Sequence, residues 1–165
     1  SNYHVDHMRQ AWQGSPFHTC QPRYSMFYRP AEYDVIPYCE KNRIGVLVHS
    51  PLAKGLLTGR YRAGHQFAPD DERSRLRRFQ GETFARYLAV ADQLSQLASD
   101  KGVTLIQLSI AWVLRLNTVS CVLVGAKTVE QIEEHLGAVD VALSDDEIRR
   151  LAAILQDTPA ELYDA

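Results

Sequence analysis

The composition of this 165-residue chain is that of a folded globular protein without strong charge bias. Hydrophobic residues make up 45% of it, so a chain of this length buries a substantial core, which excludes a disordered tail. With 18 basic and 20 acidic residues the formal net charge is -2, and this balance argues against a nucleic-acid partner.

The first 50 residues predict two helices that alternate with two strands. Apolar residues at helical spacing over residues 5–12 indicate a short helix. Residues 17–25 predict a strand that runs into a loop, and residues 31–41 predict a second helix, which Pro37 kinks or confines. The apolar run at 44–50 is typical of a strand buried on both faces, as in parallel sheets.

The second part of the chain predicts a long loop, four helices and a third strand. Residues 54–80 are rich in Gly, Arg and Asp and indicate a loop of the length that functional lids have. Apolar spacing over 84–97 predicts an amphipathic helix that Gly102 closes, and residues 119–124 predict a strand. The other three helices begin at capping pairs, which are Thr104–Gln107, Thr128–Gln131 and Ser144–Glu147.

This order of elements predicts an α/β protein with a parallel sheet. Three parallel strands cannot close a barrel, and an open sheet would need helices on its other face. Arginines cluster in residues 72–79, either as a phosphate-binding patch or as a solvated loop or helix face, and we favour the solvated face.

Cysteine usage and hydropathy predict a cytoplasmic protein. Cys20, Cys39 and Cys121 are odd in number and widely spaced, which indicates neither a disulfide framework nor a zinc site. No apolar run approaches the roughly 18 residues of a membrane span, and nothing near Ser1 resembles a signal peptide. Because helical spacing begins almost at once, we expect the chain to belong to something longer.

The junction after the third strand resembles an anion cradle. Unpaired backbone N–H groups and the positive end of a helix dipole meet at such a junction in parallel α/β units. Gly125 and Ala126 leave room for a phosphate oxygen, Lys127 supplies a cation, and Gln131 and Glu134 follow one and two turns later. The alternative is a turn glycine, a solvated lysine and a capping glutamine, and spacing does not separate the two interpretations.

Four motifs in the same order and spacing resemble the aldo-keto reductase family. "HSPLAKGLLTGRY" and "VGAKTVEQIEEHLGA" are similar to the segments after that family's seventh and eighth barrel strands. "CQPRYS" is similar to its sixth-strand motif, and "SN" at residues 1 and 2 to the pair that ends its fifth strand. The resemblance implies part of a TIM (β/α)8 barrel, roughly strands six to eight with their helices and a C-terminal helix, as one incomplete domain over residues 1–165.

The resemblance also implies an extended NADPH site along the carboxyl ends of the strands. The implied nicotinamide contacts are Ser1, Asn2 and Gln21, with His49 at the position where the family often has a stacking aromatic residue. The implied pyrophosphate contacts are Ser50, Leu52 and the backbone near Gly55. Lys127 would meet the 2′-phosphate beside Gly125 and Ala126, and the adenine end would be surrounded by Gln131, Glu134 and His135.

Three of these positions depart from the family's pattern. His49 has a smaller and more polar ring than the usual aromatic residue, and packing at a strand end explains it equally well. Lys127 stands where Arg is more usual, so it keeps the charge without the planar fork. His135 replaces a usual Asn, which puts the adenine contact in doubt.

The catalytic groups implied by the family are not in this chain. The resemblance places a general-acid Tyr, with Lys, Asp and His, on the first four barrel strands, whereas this chain matches from the end of the fifth. Tyr24, Tyr28 or Tyr33 with Lys54 fall at unrelated motif positions, and we do not assign them this role. The prediction is the cofactor-binding half of an NADPH-dependent reductase of small carbonyl compounds, inactive alone and completed by an N-terminal half.

Two alternatives remain at this stage. One is a noncatalytic NADPH-binding or interaction subunit with the same fold. The other is a chain that folds alone into an open three-stranded domain. We do not favour it, because the isolated chain would have exposed strand edges and should aggregate.

Overall fold

The computed structural model describes residues 1–159, so the last six residues of the predicted domain lie outside the described part. Its centre is a parallel sheet of three strands, β1 Thr19–Cys20, β2 Gly45–His49 and β3 Val119–Leu123, in the order β1-β2-β3. Both pairs of neighbours are parallel. The predicted α/β class is therefore confirmed.

Six α-helices and five short 3-10 segments surround this sheet in residues 1–159. The helices are α1 Val5–Gly14, α2 Val35–Lys41, α3 Gly81–Lys101, α4 Leu105–Leu114, α5 Val129–Leu136 and α6 Asp145–Leu155. The 3-10 segments are Pro30–Glu32, Ala53–Thr58, Glu72–Arg75, Arg77–Phe79 and Gly137–Asp140.

Local capping signals place the helix ends where the sequence predicts them. The Thr104 hydroxyl accepts the N–H of Gln107 at 3.1 Å, and the Gln107 side chain accepts the N–H of Thr104 at 3.0 Å. Ser144 and Glu147 form the same reciprocal pair at the start of α6. Gly102 ends α3 in the left-handed conformation, with φ of 77°.

Two predicted elements are shorter than the sequence indicates. The strand predicted over 17–25 keeps only Thr19–Cys20, because Pro22 lacks an N–H and the chain then bends so that Ser25 and Tyr28 pair with each other. The helix predicted over 31–41 is a 3-10 turn followed by α2. Pro37 lies in the first turn of α2, where a missing N–H is tolerated, so it confines the helix without breaking it.

The core lies on one face of the sheet, where α2 packs on β2, α4 packs on β3, and α3 packs on α4. The predicted inward positions of α3 are all buried, namely Phe84, Leu88, Ala91, Leu94 and Leu97. Leu105, Leu108, Ala111 and Trp112 of α4 are buried as well. In the described part of the chain no single helix has the length and apolarity to cross a membrane, and α3 with α4 reaches that threshold only as a pair bent by 89°.

The other face of the sheet is open, which corrects one prediction. Val46 and Val48 of β2 are fully buried, but Gly45, Leu47 and His49 on the opposite face are only half-buried. The run at 44–50 was expected to be buried on both faces, and among residues 1–159 it is not, because no described helix covers that side. Leu123 of β3 also leaves 41% of its surface exposed.

Candidate functional site

Hydrogen bonds gather the predicted nicotinamide residues at the carboxyl edge of β1 and β2. The Gln21 carbonyl accepts from the Ser1 hydroxyl at 3.1 Å and from the Asn2 N–H at 3.0 Å. The Asn2 Oδ1 atom accepts the N–H of Arg23 at 3.1 Å and lies 2.8 Å from His49 Nε2. Residues that are far apart in the sequence therefore form one polar cluster.

These contacts also show which ring nitrogen of His49 carries a proton. Because Asn2 Oδ1 can only accept, His49 Nε2 is the donor in this pair. His49 Nδ1 lies 3.0 Å from the Ser50 hydroxyl and accepts from it when the ring is neutral. Burial, followed by the charge of Arg23, lowers the pKa of His49, which favours the neutral ring.

The loops after β2 and β3 enclose a groove of about 760 Å³ between them. This volume lies in the usual range for ligand pockets, roughly 300–1,000 Å³. Seven of the predicted cofactor residues line it, namely Ser50, Leu52, Gly55, Gly125, Ala126, Lys127 and Gln131. Ser50 also contacts His49, so the groove continues from the polar cluster.

Two glycines line the groove, and the described structure requires glycine at only one of the two positions. Gly55 has φ of +99°, and a Cβ atom there would lie 2.8 Å from the Tyr61 hydroxyl, so both backbone and packing require glycine. Gly125 has no strained φ, and an added Cβ atom would meet no described atom within 4 Å. Neither the turn nor the packing of residues 1–159 therefore requires glycine at position 125.

The junction at Lys127 is only partly the cradle that the sequence suggested. The Lys127 N–H donates to the Gln131 side chain at 2.7 Å, and the Gln131 N–H donates to the Thr128 hydroxyl at 3.4 Å. The helix start therefore caps itself, and it is the exposed Lys127 ammonium group that is available to an anion. Glu134 and His135 lie farther along α5 and do not line the groove.

A strap over the groove, residues 59–80, supplies lining residues that the sequence did not single out. Glu72 forms an ion pair with Lys54, and Asp71 accepts the Arg73 Nε–H at 2.8 Å, while Arg73 also donates to the Tyr61 hydroxyl. Hydrogen bonds from the Arg73 side chain and backbone, with a smaller effect of the Lys127 charge, lower the pKa of Asp71 to about 2. The available signal was the acidic run at 70–72, followed directly by Arg73.

The strap bears out our interpretation of the arginine cluster only in part. Arg75 and Arg77 are exposed, as a solvated face predicts, whereas Arg73 lines the groove and Arg78 is only 7% exposed. The strap packs through a set of rings, which are Tyr61, His65, Phe67, Phe79 and Phe84.

A buried network anchors the segment that follows β1. Tyr24 is fully buried and stacks on Trp112 with ring centroids 5.1 Å apart. Its hydroxyl donates to Glu32 and accepts from Arg115 at 3.1 Å, and Arg115 also binds Glu32 at 3.0 Å. Burial raises the pKa of Tyr24, and Tyr33 is 83% exposed, so neither tyrosine is placed as a proton donor beside Lys54.

Comparison with known proteins gives the same family over nearly the whole chain. The aldo/keto reductase family model matches residues 1–156. The aldo-keto reductase YhdN of Bacillus subtilis is 32% identical over 159 residues, which cover 96% of this chain and 48% of that protein. The NADH-specific methylglyoxal reductase of Escherichia coli is 31% identical over 94% of this chain and 48% of its own length.

Another relative is named for NADP(+) instead of NADH. The aldo-keto reductase yakc [NADP(+)] of Schizosaccharomyces pombe is 32% identical over 87% of this chain and 43% of its own length. This chain thus spans about half the length of the curated relatives it matches.

A solved structure agrees with the sequence comparison. The glycerol dehydrogenase AKR11B4 from Gluconobacter oxydans superposes with a TM-score of 0.90 at 30% identity, over 99% of this chain and 50% of that one. On sequence and fold together, the chain belongs to the aldo/keto reductase family.

Proposed function

We propose that this chain is the cofactor-binding half of an NADPH-dependent reductase of small carbonyl compounds, and that strands six to eight of the family barrel are the part it forms. The observation that carries the proposal is the groove itself. Predicted cofactor residues from two loops line one groove, which is continuous with the polar cluster at Asn2 and His49.

The donor set suits each part of an extended dinucleotide. Since Asn2 Oδ1 is occupied, its NH₂ group is the one free to bind a carboxamide oxygen. In residues 1–159 the Gln21 side-chain amide has no hydrogen-bond partner, so it can donate and accept. At the other end Lys127 offers a point charge to a 2′-phosphate.

The bound cofactor would supply a hydride to a carbonyl carbon, while a proton reaches the carbonyl oxygen to give the alcohol. In this proposal the chain's own residues orient the nicotinamide and keep the strap closed over the phosphates. The proton donor comes from a complementing N-terminal half. The matched relatives, about twice as long as this chain, support that division.

Titration with NADPH and NADH tests the cofactor assignment. We expect tighter binding of NADPH, and in Lys127→Met a loss of about 5–10-fold in NADPH affinity with little change for NADH, as one exposed charge-assisted contact is worth ~1–1.5 kcal/mol. Lys41→Met, on the exposed end of α2, is the matched control and should change neither affinity. Equal affinity of the wild-type protein for both cofactors would refute the assignment.

A further inference from the structure

Within the described residues 1–159, the cation Arg23 lies at the mouth of the proposed site without an acidic partner. The N–H of Arg23 binds Asn2 at 3.1 Å, and Arg23 forms an isolated parallel bridge with His49. Thr19, Gln21 and Arg23 alternate along one side of the chain, so Arg23 continues the open face of the sheet. Its side chain therefore lies beside the polar cluster that would hold the nicotinamide.

The Arg23 guanidinium is held in place by an aromatic ring. It lies 4.1 Å from the centroid of the Tyr28 ring, within the range of a cation–π contact. A long flexible side chain loses less entropy on binding when it is already stacked in this way. The donors of the guanidinium fork stay available because stacking uses only the faces of the group.

Among residues 1–159, no carboxylate oxygen lies within 4.0 Å of the Arg23 side-chain nitrogen atoms. Arg23 and Asp34 line a second groove, of about 420 Å³, but the Asp34 carboxylate caps the N–H of Val35. The neighbouring His49 cannot compensate this charge either, because an imidazole is neutral or positive. Among the residues that the structure describes, Arg23 is thus a partly buried cation without a carboxylate partner, next to the proposed nicotinamide site.

We propose that Arg23 selects carbonyl substrates that carry a carboxylate, by binding that carboxylate while Asn2 and Gln21 hold the nicotinamide. The planar guanidinium matches a carboxylate with two parallel hydrogen bonds. This inference rests on the proposed function, since it needs the nicotinamide at Asn2. It adds an anionic substrate class to that function.

Two para-substituted benzaldehydes of equal shape test the inference. 4-Formylbenzoate carries a carboxylate, and 4-formylbenzamide replaces it with a neutral amide. With the whole protein in which residues 1–165 occur, we expect a higher kcat/KM for the benzoate. Arg23→Gln should lower the benzoate value about 10–100-fold, as charge-assisted hydrogen bonds do, and keep the benzamide value within about twofold.

Two further variants separate substrate binding from a structural role. Arg23→Lys keeps the charge without the planar fork and should retain part of the benzoate preference. Arg86→Gln, on the exposed side of α3, is the matched control and should change neither value. Equal losses for both substrates in Arg23→Gln, with a lowered melting temperature, would assign Arg23 to structure and overturn the inference.

NADPH titration of the same samples distinguishes the two levels of the proposal. If NADPH binds and the benzamide is reduced, but Arg23→Gln leaves the ratio of the two kcat/KM values unchanged, only the substrate inference fails. If NADPH does not bind, the proposed function fails and the substrate inference fails with it.

Discussion

Replacing Glu32 by Gln tests the buried network that anchors the mouth of the site. Glu32 Oε1 accepts from the Tyr24 hydroxyl and from Arg115 at 3.0 Å, while Arg115 lies 3.7 Å from the centroid of the Trp112 ring. The substitution keeps the shape and one acceptor oxygen but removes the negative charge. Arg115 is then left without its acidic partner in a site where only 19% of its side chain is exposed.

The expected cost of Glu32→Gln is about 2 kcal/mol in the free energy of unfolding. Breaking a fully buried ion pair costs about 3–5 kcal/mol, and an exposed pair is worth about 0.2–1 kcal/mol. With 27% of the Glu32 side chain exposed, this pair falls between those limits. Tyr24→Phe removes one hydroxyl and should cost about 1 kcal/mol.

Urea unfolding of both single variants and of the double variant measures the coupling. Because Tyr24 and Glu32 share a hydrogen bond, the double variant should be less destabilised than the sum of the singles, by about 1 kcal/mol. Glu40→Gln, on the exposed end of α2, is the control and should stay within about 0.5 kcal/mol. Additive effects with unchanged m-values would show that the network does not act as a unit.

Two more predictions concern α6 and the strap. The Lys101 ion pair and the Ser144 N–H lower the pKa of Glu147 from 4.5 to about 2, so its contribution to stability is present above pH 4.5 and is lost as the pH falls towards 2. Glu147→Gln should therefore lower the free energy of unfolding by about 1 kcal/mol at pH 7, and it should weaken the loss of stability between pH 4.5 and 2. An unchanged loss of stability in that pH range would contradict this prediction. Gly55→Ala should cost about 2–4 kcal/mol and weaken NADPH binding, since it adds a clash with Tyr61 to backbone strain. Gly64→Ala is the control: it introduces backbone strain at φ +80° but no clash, and should lower the free energy of unfolding by only about 1 kcal/mol. Equal melting temperatures of the two variants would refute the packing argument.

The features that the sequence predicted correctly are those set by short-range interactions. The capping boxes at Thr104 and Ser144 need only residues three positions apart, and the inward positions of α3 follow from helical periodicity. The groove depends on contacts between distant segments. Gln131, one residue of the predicted capping pair, turns its side chain to Lys127 because the folded loop brings that N–H within 2.7 Å.

Tertiary contacts also explain what the sequence did not reveal. Asp71 and Arg73 became groove residues only because aromatic packing folds the strap back over β2 and β3. Arg23 has the spacing of an ordinary loop arginine. Its significance depends on the Tyr28 ring and on His49 beside it, and neither can be inferred from a single sequence without a fold.

The open face of the sheet connects stability to function. The composition of β2 suits burial on both faces, yet Leu47 is only half-buried and Leu123 is 41% exposed. Arg23 and His49 continue this same face to the carboxyl edge, so a segment that covered the apolar strands would also complete the mouth around the proposed nicotinamide site. A ligand that binds only the completed mouth must stabilise the covered state, by an amount that grows with the logarithm of the ligand concentration above its dissociation constant. We therefore expect NADPH to raise the melting temperature of the completed protein more than that of residues 1–165 alone, because in the isolated chain the mouth has only one wall.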